Sequence, residues 1–232
     1  MKVVRTRRGV RIVQRGLVLS EIVDEPGPTD SLFDVLAAAI AALSPGPRVA
    51  VLGFAGGGII APMRAMGFGH PIEAVDLSLD GERLFREHAG PWAGQVTVHE
   101  EDASRWLRRS RRRWDMILED LSVETAIHVA KPSISLGALP DLMKRRLADR
   151  GVVAVNLLPV PGMPWQELLD RVARPWKRTQ TQVVLLEEYE NRILLAGRLG
   201  SARATSHALK RHLRGLGSDQ ADGLSVRSWR PR

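Results

Sequence analysis

From residue 48 onward, short apolar runs alternate with stretches whose apolar positions recur at helical spacing. Residues 48–67 give VAVL, a glycine-rich turn at 53–58 and a helix over IIAPMRAM. Residues 72–90 repeat the unit, with a strand to Val75, a turn at Asp76 and a helix starting near Leu79. VTVH followed by a helix over 103–112 repeats it more weakly, and WDMILED is a further strand with acids at its end. A helix over 140–150, the strand GVVAVNLL, a helix over 165–176 and two strands joined at 187–192 complete the pattern. Strands alternating with helices imply a parallel sheet covered on both faces, and the last pair implies an antiparallel hairpin at its edge.

Upstream, residues 10–13 and 17–23 are β-branched runs around Arg15-Gly16 and predict a hairpin. Residues 24–30, Asp-Glu-Pro-Gly-Pro-Thr-Asp, read as a loop, with Thr29 or Asp30 placed to cap a helix over 32–43. Ser44-Pro45-Gly46-Pro47 ends that helix. The expected organisation is a hairpin and helix extension over 1–45, an α/β domain over 46–200, and a mobile, Gly-containing tail over 201–232.

Composition narrows the class. Hydrophobic residues are 44% and charged residues 26% of 232, enough to bury a core, and cysteine is absent, which excludes disulfides, thiolate metal sites and a Cys nucleophile. No apolar run approaches the ~20 residues of a membrane span, and the basic first 16 residues have no apolar signal core behind them. The expectation is a soluble, cytoplasmic protein without a membrane partner. The net charge of +8 is uneven: residues 1–15 carry six basic residues and no acid, residues 201–232 carry seven against two acids, and the middle is mildly acidic. Such ends are more often solvated arms than nucleic-acid contacts. The six Arg within 105–113 read first as a solvated face, with a phosphate-binding patch as the sharper alternative. The six histidines show no metal-ligand spacing, so no metal is expected, and no Gly-x-Ser-x-Gly elbow is present.

Four features fall at successive strand ends. Gly53-Phe54-Ala55-Gly56-Gly57-Gly58 follows VAVL and opens a helix, so its backbone allows close approach of a ligand. Asp76 ends the next strand, near the spacing at which an acid meets ribose hydroxyls. Asp102 follows the third strand, where an acid can accept from an adenine amino group. Asp120 ends WDMILED. Asp76 and Asp102 also suit helix capping, and either role is open at this point. A dinucleotide fingerprint ranks lower, because Gly53-Phe54-Ala55 breaks the Gly-x-Gly pair.

The segments VAVLGFAGGGI, EAVDLS, VTVHEEDASRWL and RRWDMILED, with NRILLAGR near the end, resemble spermidine synthase-like proteins (polyamine aminopropyltransferases) within the class I S-adenosylmethionine-dependent methyltransferase superfamily. The resemblance implies a Rossmann-like, mostly parallel seven-stranded sheet with a C-terminal antiparallel hairpin and a small N-terminal β-hairpin. It implies S-adenosylmethionine or its decarboxylated form, held by Gly53, Phe54, Ala55, Gly56 and Gly57, by Asp76 and Leu77, and by Asp102 and Ala103. Asp120 falls where that family keeps the acid that receives the amine proton, Glu124 stands close by, and Asp30 is an acid where the family holds its amine. The implied activity is transfer of an aminopropyl or related group to a small-molecule amine. A methyltransferase is the alternative, and a catalytically inactive cofactor-binding protein a third. A homodimer is among the partners the resemblance makes plausible. The chain departs from the pattern where the gate after the catalytic acid reads Asp120-Leu121-Ser122-Val123-Glu124, and where the upstream tyrosine is missing.

Overall fold

The computed structural model describes residues 2–14, 16–124 and 129–231, with the side chains of Leu17 and Glu124 outside the description. The N-terminal region is a meander of three antiparallel strands, β1 (Lys2–Thr6), β2 (Gly9–Gln14) and β3 (Leu17–Val23). The expected hairpin is therefore β2–β3, and KVVRT, in which three of five positions are charged or polar, adds a third strand. Arg15, assigned to the hairpin turn, lies outside the described residues. Helix α1 (Leu32–Leu43) follows, capped by Ser31 rather than Thr29 or Asp30. Asp34, fully buried, reaches back from its first turn and accepts from the Thr29 N–H, the Thr29 hydroxyl and the Asp30 N–H.

The alternating pattern then unfolds as β4 (Val49–Leu52), α2 (Ile60–Ala65), β5 (Ile72–Asp76), α3 (Asp80–His88), β6 (Val96–Glu100), α4 (Ala103–Arg109) and β7 (Trp114–Glu119). A short pair, β8 (Val123–Glu124) and β9 (Val129–Ala130), precedes α5 (Ser133–Leu136), α6 (Leu139–Arg146), β10 (Leu147–Leu157) and α7 (Trp165–Ala173). The chain closes with β11 (Gln180–Leu186), β12 (Arg192–Gly197), α8 (Ala202–Leu216) and β13 (Leu224–Trp229).

The main sheet has eight strands in the order β13-β11-β12-β10-β7-β4-β5-β6. The run from β10 to β6 is parallel, and β12, β11 and β13 are joined antiparallel. The eighth strand and α8 come from residues expected to be a mobile tail. The physical reason is burial: Thr205, Leu209 and Leu213 on α8 and Leu224 on β13 are buried, α8 packs on α1, and β13 pairs with β11 from Thr181 to Leu186. Gly217, with φ 78°, ends α8 in the left-handed conformation that glycine adopts freely.

Each sheet face carries its own core. One is built with α1, α2, α3 and α8, the other with α4, α6 and α7. The strands between are buried on both faces, as a parallel sheet requires. The strand order reverses at β4, which lies between β5 and β7, so the carboxyl ends of β4 and β7 open the crevice where ligands bind in such sheets.

Candidate functional site

That crevice is a cavity of about 760 Å³. The sheet supplies Gly53 and Ala55 after β4, Asp76 at the end of β5 and Leu77 after it, Asp120 and Leu121 after β7, and Asn156 on β10. The N-terminal sheet forms the opposite wall through Arg11, Ile12 and Glu21, and the entrance to α1 adds Asp30. Clefts that hold small molecules commonly measure about 300–1,000 Å³.

The glycine-rich turn is held from two sides. Asp76 Oδ2 accepts from the Phe54 and Ala55 N–H groups, both at 2.8 Å. The clasp fixes Ala55 at φ 49°, a strained conformation for a residue with a Cβ. From the other side Gly58 N–H donates to Ser20 Oγ at 3.0 Å. Gly53 is at φ 89°, and a Cβ there would stand 2.7 Å from the Asp120 carbonyl, so glycine lets the ends of β4 and β7 meet. A Cβ on Gly81, at the start of α3, would lie 1.3 Å from the Ala55 carbonyl oxygen. Gly81 is thus as much part of the turn as the glycines inside it, yet in sequence it is a glycine inside a polar helix start.

Asp120 follows the last residue of β7, its N–H bonded to the Leu52 carbonyl at 2.8 Å. Burial pushes its carboxyl up to about 6, opposed by the Asn156 hydrogen bond and the Lys131 charge and reinforced by Glu119. Asn156 Nδ2 donates to Asp120 Oδ1 at 2.7 Å, and Asn191 Nδ2 donates to Asn156 Oδ1 at 2.9 Å. This relay from three distant segments had no sequence signal beyond two asparagines near strand ends. Beneath it, Glu119 and Lys131 form a buried ion pair at 2.7 Å. Lys131 also donates to the Leu121 carbonyl at 2.8 Å and Leu121 N–H to Glu119 at 2.8 Å, so the pair anchors the loop that leaves Asp120.

Tyr189, the chain's single tyrosine, enters the cavity from the β11–β12 turn. Burial holds its hydroxyl above the ordinary phenol range, against a hydrogen bond from the Leu32 backbone. The lining residues include five carboxylates, of which Glu21, Asp30 and Asp80 are paired with Arg11, Arg8 and Arg83, while Asp76 and Asp120 have no guanidinium partner among the described residues.

The sequence-derived set divides in three. Gly53, Ala55, Asp76, Leu77, Asp120 and Asp30 line the cavity together, and Leu77 is 68% exposed there, an apolar side chain without a packing partner of its own. Phe54, Gly56 and Gly57 do not line it: Phe54 is buried edge-on against Phe85, and Gly56 and Gly57 face Ile12 and Phe54 across contacts too close for a Cβ. Asp102 and Ala103 also stand apart from its walls. Asp102 caps α4, accepting from Ser104 Oγ at 2.5 Å and Arg105 N–H at 3.0 Å, and the Ser104 hydroxyl foremost holds its carboxyl below the usual range. The helix-cap reading of Asp102 is the one the geometry supports. Glu124 pairs with Val129 through its backbone, and its side chain lies outside the described residues. Among the described residues no cluster of His, Asp and Glu has metal-binding geometry, and no helix is long and apolar enough to cross a membrane.

No protein-family model matches the chain. Among curated proteins, the tRNA1(Val) (adenine(37)-N6)-methyltransferase of Salmonella arizonae is 35% identical over 52 residues, 22% of this chain. The chain spans 21% of that protein's length. Among solved structures, human methyltransferase-like protein 13 in complex with SAH covers 79% of this chain and 92% of its own at a TM-score of 0.60 and 19% identity. Spermidine synthase from Thermotoga maritima covers 92% of this chain and 73% of its own at a TM-score of 0.61 and 12% identity. At these identities the structural likenesses establish the fold, a Rossmann-like α/β fold of the methyltransferase type.

Proposed function

We propose that the chain is a transferase that uses an adenosyl-sulfonium donor and alkylates a small-molecule amine, with Asp120 as the proton acceptor. The observation that carries this reading is Asp120 itself: a carboxyl at the sheet's switch point, raised to about 6 by burial, inside a cavity whose charged lining residues are mainly acids. Both the sulfonium donor and a polyamine are cations, which suits that lining.

The residues fit the donor in part. Asp76 and the exposed face of Leu77 suit ribose and an apolar ring, and Gly53 and Ala55 present backbone at close range. The turn's N–H groups at Phe54, Ala55, Gly57 and Gly58 are already bonded within the chain, and the wall's guanidinium is paired. Little is left to hold a donor carboxylate, which favours decarboxylated S-adenosylmethionine and aminopropyl transfer. When bound, such a donor supplies a carbon on a good leaving group. The chain's own work is to align the nucleophile, exclude water and take the proton that the amine gives up during attack. Asp120 Oδ1 is occupied by Asn156, which leaves its other oxygen for that proton.

A methyltransferase using intact S-adenosylmethionine is the second reading. It is favoured by the curated methyltransferase, 35% identical over its 52 matched residues. Product analysis separates the two. Incubation with the decarboxylated donor and putrescine should release methylthioadenosine in proportion to a new secondary amine. Release of S-adenosylhomocysteine from the intact donor, with no product from the decarboxylated one, would establish the second reading instead.

A further inference from the structure

The six arginines of 105–113 do not form one helical face. Helix α4 ends at Arg109, and Arg111, Arg112 and Arg113 lie in the extended segment leading into β7. Three of the six are paired with acids: Arg105 and Arg109 with Glu101, and Arg112 with Glu73. Among the described residues Arg108, Arg111 and Arg113 have no ion pair.

The fold brings a second basic segment against this one. Arg146, at the end of α6, donates to the Leu107 and Arg108 carbonyls, both at 2.8 Å, and Arg113 donates to the Leu147 carbonyl at 3.1 Å. Leu147 and Trp114 are register partners where β10 and β7 begin. Arg145 and Arg150 flank this junction, exposed, and Asp149 is the acid between them. Arginines are thus used to dock one arginine-rich segment onto the backbone of another. Gathering like charges costs free energy in the isolated protein, and here acids relieve only part of it.

The patch sits where β7 and β10 begin, and the cavity where they end. The two occupy opposite edges of a parallel sheet, so the patch is not part of the cavity's wall. Guanidinium groups spread over two segments, flanking rather than filling a pocket, match a polyanion with regularly spaced charges better than a single small anion.

We infer that this edge of the sheet binds the phosphodiester backbone of nucleic acid, without reading its sequence. The inference stands apart from the cavity's proposed chemistry. Arg111, Arg145 and Arg150 carry the test, because their side chains make no hydrogen bond or ion pair to another described residue and their loss leaves the docking contacts of Arg113 and Arg146 intact.

The experiment is fluorescence anisotropy with a labelled RNA hairpin and a labelled DNA duplex of similar length, titrated with the full chain at 50 to 200 mM KCl. The parent should bind at least one of them with salt-sensitive affinity. The triple variant R111A/R145A/R150A should lose about tenfold or more in affinity, and its log–log salt slope should shrink by about 2–3, as for three lost phosphate contacts. Replacing the same three by lysine should restore most of the binding, and a triple R203A/K210A/R211A variant on α8, equal in net charge, should bind like the parent. The inference is overturned if neither probe binds at 50 mM KCl, if the patch triple binds like the parent, if the α8 triple is the one that loses binding, or if the chain binds anionic phosphatidylserine vesicles but neither probe. Turnover of a small amine should be the same in the patch triple as in the parent.

Discussion

In the proposed reaction Asp120 carries the chemistry of the cavity in one side chain. Burial favours its neutral form, so the folded chain binds this proton more tightly than the unfolded chain does. Its contribution to stability is therefore fully present below the ordinary value of 3.8 and is lost as the pH rises through about 6. Asp120→Asn removes that dependence while keeping an acceptor for Asn156. The variant should be more stable than the parent at pH 7, by on the order of 1–2 kcal/mol, and no more stable at pH 4, as read by denaturant unfolding at the two pH values. Its turnover should fall by about 10²–10⁴-fold, with donor binding retained, and parent turnover should climb with pH to a plateau above about 6. The position of Asp120 was legible in sequence because a strand that ends in acids is a local signal. Its environment was not: Asn156, Asn191 and Tyr189 lie 36 to 71 positions further along the chain and meet it only through the order of strands. Asp102 was ambiguous for a physical reason, since the same acid, one residue before a helix, serves equally as cap or as ligand.

At the scale of elements, the turn after β4 is a packing device. Gly56 approaches the flexible tips of Ile12 and Ile22, whereas Gly81 approaches backbone, the Ala55 carbonyl. The two should respond differently to alanine. Gly81→Ala should destabilise by roughly 3 kcal/mol and weaken donor binding, and Gly56→Ala should cost less than about 1 kcal/mol, both measured by chemical denaturation. The Glu119–Lys131 pair makes a further prediction. One Glu119 oxygen is buried without a partner among the described residues, so the lysine carries most of the compensation. Lys131→Met should cost about 3–5 kcal/mol, and Glu119→Gln added to it should recover a large part, because the double variant no longer buries an unpaired charge. Element types and order were readable from periodicity. Partnerships such as α3 against the turn, or Lys131 beneath Asp120, were not, because nothing local marks which residues will be pressed together.

The whole molecule is one doubly wound sheet with a second, three-stranded sheet closing its cavity. Residues 202–229 belong to the first of these, as α8 and β13. Polar composition and scattered glycines hid that, because α8 shows the solvent one face and β13 is an edge strand with a single buried residue, Leu224. Removing 201–232 strips the cover from α1 and exposes the β11 edge, so the truncated chain should aggregate or melt at least ~10 °C below the parent in a thermal scan. A truncated chain that melts like the parent would mean that these elements add nothing to the fold. The central claim is that the cavity over β4 and β7 holds an adenosyl-sulfonium donor. Calorimetric titration of the full chain with decarboxylated and intact S-adenosylmethionine tests it most directly. The account predicts saturable, one-to-one binding with the decarboxylated form tighter, and heat from neither ligand would contradict it.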